Sequence, residues 1–347
     1  MEEMAAGPTT TGQVTGAPGS GAPGPRDLRE WLGAVERIGQ LRRIKAEVSR
    51  NEEMGAITYM AHQEINAPAL LFENIKDSPR GFRALWNPIG SSVDRFALAI
   101  GEPPGLGVME LIRRCKTKLT SPIPPVVIEG EGQPVNENHV RDEKVDVRVF
   151  PASRHWPRDG GEYVGTCDAI ITRDPDGGWL NVGCYRQMVQ GKNQVGLYLS
   201  PGKDARLHIE RYWSRDEPVE VVCCWGIDPA TFIVASQTFP KTVSEFDYLG
   251  GLLGRPVELV KGQATSLLYP ARAEIVVEGV IAPGAQKLEG PFGEFTGYYG
   301  RPEDYAFLVE VKAVHYRDNP IHTNALMADY PANECALLYA VARSARI

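Results

Sequence analysis

Residues Trp179-Leu180-Asn181-Val182-Gly183-Cys184-Tyr185-Arg186-Gln187-Met188-Val189 set β-branched and aromatic side chains around a single central glycine, just after the turn-forming Asp176-Gly177-Gly178. That composition suits a half-buried, pleated strand. Side chains alternate along a strand, so a regular pleat turns Asn181 away from both Cys184 and Arg186; Gly183 permits a bulge that changes this. Similar runs recur at 163–172, 194–199, 218–226, 256–261, 274–281 and 306–316, each bounded by Gly, Pro or Asp. Only two helices, at 205–214 and 244–253, are expected between them. Two are too few for a strand–helix alternation, which argues against a Rossmann fold and for a sheet or barrel.

Upstream of the strands the pattern differs. Asp27 is placed to cap a helix whose apolar residues Leu28, Trp31, Leu32, Val35 and Ile38 follow helical spacing and which stops at Gly39. A strand at 41–48, a helix at 52–63, a strand at 69–73 and helices at 93–100 and 108–116 follow, giving a small α/β domain over 27–121. Pro122, Pro124 and Pro125 mark a linker. The Gly-, Pro- and Thr-rich residues 1–26 carry too little apolar surface to offset ordering entropy and are expected to be a disordered tail. The β-rich domain covers 122–318, and 319–347 opens a third unit. A helix at 334–346 would reach the end of the chain uncapped and without a partner for its apolar face, so the chain reads as cut short. The fold class is α+β.

Composition narrows the functional classes. At 347 residues and 43% hydrophobic the chain is long enough for two cored domains, and a net charge of −7 gives no general attraction to nucleic acid or to an anionic membrane. Cys115, Cys167, Cys184, Cys223, Cys224 and Cys335 lack CxxC spacing and mostly lie in apolar runs, which points to reduced, buried thiols and a cytoplasmic protein. No run approaches membrane-span length, and the N-terminus lacks a secretory signal.

The segment Glu289-Gly-Pro-Phe-Gly-Glu294, continuing through Gly297-Tyr-Tyr-Gly300, sets two acids on a glycine- and proline-rich turn among apolar strands. A solvated turn is the simple reading, but acids in such surroundings are costly unless paired or protonated, which favours proton chemistry. Elsewhere, Asn181 on its strand, His208 on a helix and Glu245 at a helix start each have a plain reading as a surface polar group, a core histidine and a dipole-favouring acid. Together, an amide oxygen, an imidazole and a carboxylate form a mixed set suited to Mn²⁺ or Mg²⁺ bridging a phosphate. Spacing alone does not establish that set.

Taken in order, Asn181-x-Gly-x-Tyr-Arg186, His208, Val243-Ser-Glu245-Phe-Asp-Tyr-Leu-Gly250, Ala273-Glu-Ile-Val-Val-Glu-Gly279 and Glu289-Gly-Pro-Phe-Gly-Glu294-x-x-Gly-Tyr resemble the UbiD family of reversible decarboxylases, which use prenylated FMN. The resemblance runs over nearly all of residues 27–330. It implies a split β-barrel flavin-binding domain at 122–318 followed by the start of a C-terminal α/β domain. It further implies that Asn181, His208 and Glu245 hold the divalent metal against the cofactor phosphate. Tyr185, Arg186 and Leu207 fall at cofactor-binding positions, and Trp179 and Ser236 lie where a potassium ion is often bound. Arg186, Glu289 and Glu294 match the catalytic arginine and two acids. Glu294 is the expected proton donor, its neutral form favoured by a pocket of Phe292, Phe295 and Tyr298; Glu289 would hold Arg186 in place. The substrate would be an aromatic or α,β-unsaturated acid, and a flavin prenyltransferase would supply the cofactor. Family members continue through a C-terminal domain that carries the interface between subunits, so a homo-oligomer is expected where that domain is present. Two other readings stand beside this one: an ordinary FMN-binding oxidoreductase of split-barrel type, in which nothing requires the Arg186, Glu289 and Glu294 set, and an inactive truncated paralogue.

Overall fold

A computed structural model describes residues 23–129, 132–241 and 243–346. Its centre is a ten-stranded sheet. Eight strands run in the order Tyr163–Gly165, Gln187–Gly191, Gln194–Leu197, Asp304–Tyr316, Ile275–Ile281, Val219–Gly226, Ala169–Arg173 and Leu180–Gly183, while Gln286–Glu289 and Asn138–Arg141 also pair with the long strand Asp304–Tyr316. The connections force this sheet to curl. Tyr163–Gly165 is first in the order and Ala169–Arg173 seventh, yet only residues 166–168 separate them in the chain. Four residue steps reach at most about 14 Å, whereas six strand spacings in a flat sheet span about 29 Å. Leu180–Gly183, last in the order, is likewise joined to the second strand, Gln187–Gly191, by residues 184–186 alone. The sheet therefore closes into a half-barrel whose two edges are stitched at one seam by these two short crossings, within a mixed α and β architecture.

Several expected elements change at that seam. The strand anticipated over 179–189 is two strands broken at Cys184–Arg186, and the one over 163–172 is broken at Thr166–Asp168. Each break carries one charged residue, Asp168 or Arg186, which a half-buried strand also admits, so composition did not mark either as an end. A third helix, Pro229–Ala235, was also unforeseen because all seven residues are buried and show no amphipathic period. Its end signals were present: Asp228 accepts from the Thr231 amide and Pro229 begins the first turn.

A smaller sheet lies beside the barrel in the order Leu41–Ile44, Ala69–Phe72, Arg83–Trp86 and Ile321–Asn324. Its first and last pairs are parallel and its middle pair antiparallel. The chain from 319, expected to open a further unit, thus begins by completing the N-terminal sheet. The helix expected at 334–346 does have a partner: Leu337, Leu338, Val341, Ala342 and Ala345 are buried in the same core as Leu111, Cys115 and Leu119 of the helix Val108–Leu119. Within the stretch expected to be a tail, residues 23–26 belong to the folded body, since the Gly24 amide donates to the Leu253 carbonyl at 2.8 Å and Arg255 donates to the Pro25 carbonyl at 2.7 Å. Residues 1–22 lie outside the described residues. Among the described residues no helix is long and apolar enough to cross a membrane.

Candidate active site

Arg186 lies on the 184–186 crossing, where the chain leaves one sheet edge for the other. Its guanidinium forms a two-point bond with Glu289, Nε to Oε1 and Nη2 to Oε2 both at 2.9 Å, while Nη1 donates to Glu294 Oε1 at 2.8 Å. The Tyr198 ring lies under it, 4.4 Å from the guanidinium carbon, and Phe292 is 5.4 Å away. Burial, the largest single influence, disfavours the arginine's charge, but the bond to Glu289 and the charges around it together outweigh this and hold its pKa above the ordinary value. Glu289 ends the strand Gln286–Glu289, its side chain fully enclosed, and takes a further bond from the Tyr163 hydroxyl at 2.8 Å. Burial, then the neighbouring Glu289 charge, pushes the Tyr163 pKa up, so the phenol remains a neutral donor.

The two acids are unequal. Glu294 sits after the Gly-Pro-Phe-Gly turn with its side chain 29% exposed and one arginine nitrogen in contact. The turn is moulded by the chain at 156–160: Asp159 accepts from the Gly293 amide at 2.9 Å, the Gly160 amide donates to the Pro291 carbonyl at 2.8 Å, and a Cβ at Gly293 would overlap the Trp156 ring. The expected apolar pocket about Glu294 is only partly built. Phe292 is buried, whereas Phe295 and Tyr298 are 40% and 65% exposed. Glu294 instead opens on a cleft of about 430 Å³ shared with Tyr59, Trp156, Tyr299 and Met327.

The second group gathers on the strand Leu180–Gly183. Asn181 pairs in register with Thr172 on the neighbouring strand, and the Thr172 hydroxyl is 2.9 Å from His208 Nδ1. Because partners in register share a sheet face, Asn181 and His208 are brought to the same side. Glu245, first residue of the helix Glu245–Leu253, accepts from the Val182 amide at 2.8 Å. All three side chains are buried. Burial lowers the His208 pKa to about 4 despite Asp174 nearby, leaving a neutral imidazole, and raises Glu245 to about 7. His208 Nε2 and the Asn181 amide nitrogen are buried without a hydrogen-bond partner. The unpaired imidazole nitrogen can take a metal and the unpaired amide NH₂ can donate to an anion; a neutral imidazole, an amide oxygen and a carboxylate fit a divalent ion. Asp174 Oδ2 approaches the same His208 nitrogen at 3.6 Å and is itself paired with Arg211.

The remaining expected positions cluster nearby. Leu207 and Trp179 line a cleft of about 200 Å³ with His208, Arg211 and Lys241. The Trp179 ring meets His208 edge-on at 4.9 Å, whereas the Ser236 hydroxyl is occupied, donating to the Ile233 carbonyl at 2.8 Å. Tyr185 folds back over Gly183, where a Cβ would overlap its ring, and burial raises its phenol above the ordinary range. Arg186 and Asn181, which a regular pleat would set on opposite faces, belong to two neighbouring groups divided by this bend. Tyr163, Tyr198 and Asp159 were not anticipated. Tyr163 reaches Glu289, Tyr198 the Arg186 guanidinium and Asp159 the Gly293 amide, each from a distant part of the chain, and local spacing carries no trace of that.

Residues 126–330 match the UbiD 3-octaprenyl-4-hydroxybenzoate carboxy-lyase Rift-related domain, and residues 32–115 match the N-terminal domain of the same enzymes. The chain belongs to the UbiD family. It is 35% identical over 305 residues to the pyrrole-2-carboxylic acid decarboxylase of Pseudomonas aeruginosa, covering 85% of this chain and 60% of that protein. With the phenolic acid decarboxylase of Bacillus subtilis the identity is 33% over 315 residues, covering 89% and 65%. The vanillic acid decarboxylase of Sedimentibacter hydroxybenzoicus in closed form superposes with a TM-score of 0.87 at 30% identity, covering 92% of this chain and 68% of that one. An evolved dimeric form of the UbiD-class enzyme HmfF from Pelotomaculum thermopropionicum, in complex with prFMN, gives 0.83 at 32%, covering 92% and 71%. The chain thus spans about two thirds or less of the curated relatives' length.

Proposed function

We propose that the protein is a non-oxidative decarboxylase of aromatic or α,β-unsaturated carboxylic acids, working with prenylated FMN and a divalent metal. The observation that carries this is the Arg186 bridge between a fully enclosed Glu289 and a part-exposed Glu294 at the barrel seam. Loss of CO₂ leaves an electron pair on carbon, and the flavin, when bound, supplies the sink for it.

The protein's own groups do the rest. Glu289, fixed by Tyr163 and the two-point arginine bond, holds the guanidinium plane. Arg186 keeps one nitrogen on Glu294 and orients the substrate carboxylate. Glu294, tethered at one point and facing the 430 Å³ cleft, delivers the proton that forms the new C–H bond where the carboxylate has left, and is reprotonated from water. Asn181, His208 and Glu245 would hold Mn²⁺ or Mg²⁺ for the flavin phosphate, beside a cleft in which Arg211 and Lys241 are paired with Asp174 and Asp204. The Trp179 carbonyl would hold a potassium ion beside the phosphate site. A separate flavin prenyltransferase supplies the cofactor, subunits associate into a homo-oligomer, and the setting is cytoplasmic, consistent with six unpaired cysteines.

The test is release of CO₂ from a panel of cinnamic, hydroxybenzoic and heteroaromatic acids by protein loaded with prenylated FMN and Mn²⁺ under low oxygen. Turnover with one of these acids is expected. A bound flavin whose mass is that of plain FMN, with hydride-transfer activity instead, would replace this reading by the oxidoreductase one.

A further inference from the structure

The two seam crossings meet at Asp168. Its carboxylate is fully buried, burial pushes its pKa up to about 7, and among the described residues it forms no ion pair. A lone buried acid is costly, so its bonds must explain its presence. Asp168 belongs to the 166–168 crossing, and its oxygens hold the other one at Tyr185 and at Gln187, where the next strand begins. Oδ1 accepts from the Tyr185 amide at 3.1 Å, and Oδ2 accepts from Gln187 Nε2 at 2.6 Å. These two donors flank Arg186. Gln187 cannot turn its amide round without loss, because its Oε1 accepts from Trp225 Nε1 at 3.1 Å. The position therefore requires two acceptors, which an aspartate offers and an asparagine does not. Gly165 leaves the space, since a Cβ there would overlap both the Asp168 carboxylate and the Gln187 amide.

We propose that Asp168 is a positioning residue for the decarboxylation: it clasps the two crossings of the half-barrel seam and thereby aims Arg186 at Glu289 and Glu294. The proposal rests on the reading of Arg186 and Glu294 as catalytic groups. It differs from a plain packing role in the direction of the hydrogen bonds, which is what a reciprocal exchange tests. In D168N the introduced amide faces the Gln187 amide, donor against donor. In D168N/Q187E every bond is restored with the charge moved across the pair. The introduced amide donates to the introduced carboxylate, which still accepts from Trp225 Nε1, and the amide oxygen still accepts from the Tyr185 backbone.

The experiment compares D168N, Q187E and D168N/Q187E as holoenzymes, with E294Q as control, by kcat, KM, flavin content and a crystal structure of each. A misplaced catalytic group of this kind costs roughly 10²-fold in kcat. D168N and Q187E are each expected to lose about that, with KM and flavin content unchanged and the two-point Arg186–Glu289 bond broken. The double variant is expected to recover to within about tenfold of wild type, with that bond re-formed. Wild-type kcat in D168N, or a double variant no better than the worse single one, overturns the clasp. If D168N does not fold, Q187E and the double variant carry the same comparison. Should E294Q retain wild-type turnover, the catalytic reading falls, and the Arg186–Glu289 geometry in the crystal structures still decides the clasp.

Discussion

Arg186 serves two carboxylates in unequal surroundings. Glu289 is enclosed and takes three hydrogen bonds, two from the arginine and one from Tyr163, while Glu294 takes one from Arg186 and meets a cleft. Breaking a buried pair of this kind by removing one member costs about 3–5 kcal/mol, so variants at Arg186 or Glu289 mix stability with chemistry. Tyr163→Phe separates them. It removes the one tyrosine bond to the buried Glu289 carboxyl, which costs about 1–3 kcal/mol in stability, and leaves the arginine bonds in place. Urea unfolding should show that loss while flavin binding persists and turnover falls by less than about tenfold. Unchanged unfolding would mean that the Tyr163 hydroxyl does not support Glu289.

At the scale of the element, the decisive feature is the break in the expected 179–189 strand. Gly183 allows Tyr185 to fold back, and a methyl there has no free space. Gly183→Ala should cost about 1–3 kcal/mol, the range for overpacking a filled site, and should weaken flavin binding because Asn181 and Arg186 lie on either side. A thermal melt and flavin titration check this; an alanine variant equal to wild type in both would show that the bend tolerates a side chain. The strand content was legible because β-branched runs and their Gly, Pro and Asp boundaries are local signals, and the cap at Asp27 was legible for the same reason. The break itself was legible only as a permission at Gly183. What enforces it is Asp168, seventeen residues from Tyr185 in the chain. Asn181, His208, Glu245, Arg186, Glu289 and Glu294 were reached through ordered motifs, but their two-centred arrangement comes from sheet curvature, which no window of sequence contains.

Over the whole molecule, the N-terminal sheet, the barrel and the last helix are interlocked rather than consecutive. Ile321–Asn324 closes the first sheet, and Glu334, before the final helix, accepts from the Ile89 and Gly90 amides at 2.7 and 3.0 Å. Arg95 braces the same loop through the Pro88 and Ile89 carbonyls. Burial raises the Glu334 pKa from 4.5 to about 7. The folded state then keeps its proton while the unfolded state has lost it, so stability falls as pH rises from about 4.5 to 7 and levels off above. Glu334→Gln removes that dependence. Its stability relative to wild type should rise by on the order of 1–3 kcal/mol across that interval, read by urea unfolding at either end. An equal gap at both ends would mean the acid is not held neutral.

The central claim, that Glu294 is the proton donor on a framework fixed by Glu289 and Arg186, is tested most directly by Glu294→Gln in the loaded enzyme, assayed in D₂O against an acid that the wild type decarboxylates. The account predicts product carrying one deuterium at the carbon that lost CO₂ in the wild type. It also predicts full flavin and metal content in the variant with turnover reduced by roughly 10²- to 10⁴-fold, the range for general acid catalysis. Wild-type turnover in the flavin-loaded variant would contradict it.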